Sequence, residues 1–113
     1  MSTGFIILPS DDPVRRLQNS FPEFWTDLLE CAYSDTPCLL YSGFADLLLQ
    51  RRSDTELWKR AYRFFDNIAK DGAAEAKDAL TSAFDRLWDS DMREAVEKNL
   101  GSAARVLFQR SSF

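Results

Sequence analysis

Apolar residues recur at Phe21, Phe24, Trp25, Leu28, Leu29, Cys31 and Ala32. At about 100° per residue they form one broad face, and Glu23, Asp27 and Glu30 gather on the other. This spacing predicts an amphipathic helix from about Pro22 to Tyr33, with proline in its first turn and Glu23 near the positive end of its dipole. Asp12-Pro13 is a start signal of the same kind. It opens a short helix from Pro13 to about Asn19, preceded by an extended arm over residues 1–10.

Asp35-Thr36-Pro37 opens the next predicted helix, to about Arg51. Leu39, Leu40, Tyr41, Phe44, Ala45, Leu47, Leu48 and Leu49 leave it apolar nearly all round. Such a helix belongs at the centre of a bundle. Ser53-Asp54-Thr55-Glu56 fits a capping box for a helix to about Asp71, where Gly72 stops it. Leu57, Ala61, Phe64, Phe65 and Ile68 form the buried stripe of that helix, with Trp58 and Tyr62 at the edge. Lys59, Arg60, Arg63 and Lys70 share its outer face, with Glu56–Arg60 and Asp66–Lys70 spaced as i,i+4 pairs.

A further helix, from about Ala73 to Trp88, buries Ala76, Ala79, Leu80, Ala83, Phe84 and Leu87. Asp89 or Ser90 caps the one that follows. Asn99-Leu100-Gly101-Ser102 reads as a stop and restart, or as a kink in one helix to about Gln109. No segment alternates apolar and polar residues over a strand's length. The expected fold is all-α: one domain over residues 1–113, a compact bundle or short α-solenoid of six to seven antiparallel helices joined by short links.

Composition adds limits. A chain of 113 residues, 45% hydrophobic and 13% aromatic, can bury a core without metals or disulfides. For Cys31 and Cys38 a disulfide stays open, but two buried thiols in a reducing cytosol are the expected state. There is no histidine, and the glycines at 4, 43, 72 and 101 form no phosphate loop. Zinc binding, nucleophilic catalysis and nucleotide hydrolysis are therefore disfavoured, and neither an enzyme nor a cofactor is expected. No run approaches the ~20 apolar residues of a membrane helix, so a cytoplasmic location is expected.

Charge changes the picture most. The net charge of −4 disfavours nucleic acid and favours a protein partner. Between Arg16 and Arg51 no lysine or arginine occurs, whereas Glu23, Asp27, Glu30, Asp35 and Asp46 do. A second acidic group holds Asp85, Asp89 and Asp91, with Trp88 among them. An electrically sided surface orients an oppositely charged partner. The expected partner-binding residues are Glu23, Asp27, Glu30 and Asp35 in one patch, and Asp85, Trp88, Asp89 and Asp91 in another.

Leu40-Tyr41-Ser42-Gly43-Phe44-Ala45-Asp46, Glu56-Leu57-Trp58-Lys59-Arg60-Ala61 with Phe64-Phe65, and Ala83-Phe84-Asp85-Arg86-Leu87 together resemble a group of small all-helical bacterial proteins. Members of such groups look like immunity proteins, made beside secreted antibacterial toxins. The similarity spans roughly residues 20–97 and carries no motif of functional residues. It implies neutralisation of a cognate toxin, often a basic nuclease, by covering its active site or blocking a surface it needs. A helical adaptor or regulatory module is the alternative.

Overall fold

The computed structural model describes residues 13–26 and 37–110. Among them are six α-helices: α1 (Pro13–Ser20), α2 (Pro37–Gln50), α3 (Thr55–Asp71), α4 (Ala74–Trp88), α5 (Arg93–Asn99) and α6 (Ser102–Arg110). A 3-10 turn at Pro22–Phe24 follows α1. No strand occurs among the described residues, and the chain is all-α as expected.

The α2 helix packs most extensively on α4. Ser42 Oγ donates to the Ser82 carbonyl at 3.4 Å, and Asp46 pairs with Arg86 at 3.8 Å. Both partners advance by four residues in the same sense, so α2 and α4 run parallel. This is the arrangement required when the intervening α3 runs the other way. As its composition demands, α2 is central: Leu40, Tyr41, Phe44, Ala45, Leu47 and Leu48 are buried. Its first turn reaches the surface, where Leu39 is 53% exposed.

A relay of aromatic rings crosses the interior. Phe21 meets Phe44 at 4.5 Å, Phe44 meets Phe65 at 6.1 Å, and Phe65 meets Phe84 at 5.3 Å. Phe84 then meets Phe108 at 5.3 Å, and Phe108 meets Trp88 at 5.1 Å. Three of these pairs, Phe44–Phe65, Phe65–Phe84 and Phe84–Phe108, meet edge-to-face, and such pairs contribute roughly 0.5–1.5 kcal/mol beyond the area they bury. No polar or charged residue is buried among the described ones. The Tyr41 hydroxyl donates to the Pro13 carbonyl at 2.8 Å and ties α1 to the central helix.

Several local expectations are corrected. Asp54, not Ser53, caps α3: its carboxylate accepts from the Leu57 amide at 3.1 Å, because the turn over 51–53 delivers Asp54 to the cap. Trp58 is buried rather than peripheral, and its indole N–H donates to the Arg51 carbonyl at 3.1 Å. Neither expected i,i+4 pair forms. Glu56 meets Lys59 instead, and Asp66 accepts from the Gly101 amide at 2.8 Å. That amide lies at the start of α6, where a carboxylate also satisfies the helix dipole. The break at 99–102 is therefore real: one helix stops, and Asp66 of another element caps its successor.

Gly72 does end α3, but at φ −72° and ψ 151°, not in the left-handed conformation that usually explains glycine there. Space explains it. A Cβ would lie 2.6 Å from the Ile68 carbonyl oxygen and 3.3 Å from the Ala76 methyl. Backbone cannot retreat as a flexible side chain can, so Gly72→Ala is expected to lower stability by about 1–3 kcal/mol in urea titrations.

Candidate functional site

Asp27, Glu30 and Asp35 lie outside the described residues, as does Cys31. Cys38 is exposed, not buried as expected for a packing thiol. The other five expected contact residues divide by whether a cation already holds them.

Glu23 is engaged. Arg60 grips its carboxylate with two nitrogens, Nη2 lying 3.3 Å from Oε1, and also donates to the Ser20 carbonyl at 2.8 Å. The guanidinium stacks over the Phe21 ring at 4.8 Å. The hydrogen bond from Arg60 is the main reason the Glu23 carboxyl sits below its ordinary range, against a smaller opposing effect of desolvation. The sign follows from linkage. A carboxyl depressed in the folded state stabilises above its unfolded value, near 4.5, and that contribution is lost as pH falls through the lower folded value. Glu23→Gln is therefore expected to flatten the loss of stability between pH 4.5 and more acid conditions. At neutral pH it should cost no more than about 1 kcal/mol, because the pair is half exposed. Urea titrations across that pH window check both statements.

Asp91 is engaged as well, with Arg52 at 2.8 Å. Arg51, the neighbouring residue, stacks over Phe24 at 5.0 Å. The corner between α2 and α3 thus neutralises part of the second expected acidic patch. Trp88 is half-buried against Phe108, and Arg93 covers its ring at 5.0 Å. The indole already carries its own cation.

Asp85 and Asp89 are exposed and form no ion pair among the described residues. Two carboxylates absent from the sequence reading of the site join them. Glu75 and Asp78 are also exposed and likewise lack an ion pair. On a helical wheel Glu75, Asp78, Asp85 and Asp89 fall within about 80° of one another. That arc lies away from the buried stripe of Ala76, Ala79, Leu80, Ala83, Phe84 and Leu87. The result is an acidic stripe about 21 Å long on the outer face of α4. Its helical period was the signal that could have revealed it: the four positions step by three, seven and four.

Asp85 and Asp89 sit at the C-terminal end of α4, Asp89 as its cap residue. Free carbonyl groups give that end negative partial charge, so each carboxylate there costs stability, roughly 0.3–1 kcal/mol. The stripe is therefore not what folding alone would select.

Among the described residues no cluster of histidine, cysteine or carboxylate side chains has metal-binding geometry. No helix among them is long and apolar enough to cross a membrane. Comparison with protein-family models, with curated proteins and with solved structures finds no match to this chain.

Proposed function

We propose that the outer face of α4 docks a basic protein, and that the chain is an immunity-type inhibitor neutralising a cognate antibacterial toxin. The observation that supports this reading is the row Glu75, Asp78, Asp85 and Asp89, held on a packed helix and forming no ion pair among the described residues. Two of the four are kept where the helix dipole opposes them, a stability cost that selection for binding would explain. Neutralisation by coverage needs no catalytic residue. A stable complex of this type buries about 1,600 Å² in all, and the stripe would supply charge complementarity across its centre or rim.

The test is co-expression with a candidate toxin encoded beside this chain. Growth should be rescued when both are made. Growth arrest that persists despite equal expression rejects toxin neutralisation. Capture of an ordinary cellular complex through α4 would make the chain an adaptor instead.

A further inference from the structure

Half of the outward basic row on α3 is not simply solvated. Arg60, Arg63 and Asn67 stand at i, i+3 and i+7 on one face of that helix. Across from them, α1 presents Arg16, Asn19 and Ser20. Together they line a groove of about 460 Å³ floored by Phe21 and Phe64. That volume is within the range of small-molecule sites, ~300–1,000 Å³.

Three guanidinium groups in one groove repel each other unless anions intervene. Carboxylates meet the outer two: Glu23 holds Arg60, and Asp71 meets Arg16 at 3.2 Å. Arg63 stands between Arg60 and Asp71 along α3, exposed and without an ion pair among the described residues. Each outer arginine is also held in place. Arg60 is fixed by Ser20 and by the Phe21 ring, and the Arg16 side chain is only 19% exposed. Preorganised guanidinium forks suit the tetrahedral oxygens of a phosphate group, which accept several charge-assisted hydrogen bonds at once.

We infer that this groove between α1 and α3 binds a small organic phosphate. Arg63 anchors the phosphate oxygens, Arg60 and Arg16 form the positive walls beside it, and the carboxamides of Asn19 and Asn67 line the same groove where the remainder of the ligand would lie. The ends of the groove set the size class. Glu23 stands at the Arg60 end and Asp71 at the last residue of α3. An extended polyanion threading the groove would pass both carboxylates, and the chain's net charge of −4 opposes it further. A compact phosphate ester meets only the cationic middle.

The inference is independent of the α4 reading, since the two sites share no residue. The test is titration of the isotope-labelled full chain with inorganic phosphate, pyrophosphate and adenosine 5′-monophosphate, with adenosine as the uncharged control. The Asn19, Asn67 and arginine side-chain resonances should move with the phosphates and not with adenosine. Arg63→Gln should weaken binding about tenfold or more, the loss of one strong charge-assisted contact. Arg63→Lys should restore part of it, and Lys98→Gln should change nothing. Charge reversal on α4 should leave phosphate binding intact. Absence of any response at millimolar phosphate, or unaltered binding by Arg63→Gln, overturns the inference. Much tighter binding of single-stranded oligonucleotides than of the mononucleotide would overturn the assignment to a small ligand.

Discussion

Phe84→Ala is expected to lower the unfolding free energy by about 3–5 kcal/mol. Phe84 is fully buried and sits edge-on to two other rings, Phe65 at 79° and Phe108 at 89°. Its loss removes the ring through which α4 meets both α3 and α6. The hole cannot collapse easily, because its walls belong to three separate helices. A domain of this size has roughly 5–15 kcal/mol of stability in all, so the melting temperature should fall on the order of 10–30 °C. The control is Val106→Ala: Val106 is 52% exposed, and its truncation should stay within about 0.5 kcal/mol. A loss below about 1 kcal/mol for Phe84→Ala in thermal and urea melts would contradict the packing described.

The second large effect belongs to the acidic stripe. Asp78→Lys, Asp85→Lys and Asp89→Lys combined should slow association with a basic protein partner by roughly 10- to 1,000-fold at low ionic strength. The difference should narrow steeply as salt rises, because exposed charges beyond a screening length of ~8–10 Å cease to act. Stability should move in the opposite sense. Lysines at the last turn of α4 favour the dipole that the native carboxylates oppose, giving a gain of about 0.3–1 kcal/mol each. Stopped-flow association at several salt concentrations, with a thermal melt of the same variant, separates the two effects. A variant that binds unchanged would remove the basis for docking at α4. A variant that merely unfolds would contradict the account of α4 as a helix whose outer face carries no packing.

Much of this arrangement could be read from residue order. Periodic apolar stripes located α3 and α4 closely, and the uniform greasiness of α2 told of its central place. Asn99-Leu100-Gly101-Ser102 signalled the interruption between α5 and α6. Short-range rules failed where a distant competitor existed. Arg60 has Glu56 one turn away, yet Glu23 brings a carboxylate together with the Ser20 carbonyl and the Phe21 ring, and that set wins. Asp66 passes over Lys70 for a backbone amide that has no other helical partner. The groove was illegible for the same reason. Arg16 and Arg63 become neighbours only through tertiary packing, and nothing in the spacing between them announces it. The stripe on α4 was partly legible: Asp85 and Asp89 were visible as part of an acidic cluster. Glu75 and Asp78 belong with them only when the whole helix is read at its own pitch.

The interior of the described chain contains no polar or charged residue that a neighbour must satisfy. Apart from the Tyr41 tether and the indole of Trp58, its order comes from shape alone. On α4, polar residues and core residues are therefore different sets of side chains, and exchange of the outward carboxylates leaves the aromatic relay untouched. In the α1–α3 groove the two meet, because Arg60 stacks on Phe21, the first ring of the relay. The α4 surface can therefore be rewritten in a few steps without first repairing the scaffold beneath it, whereas the groove cannot.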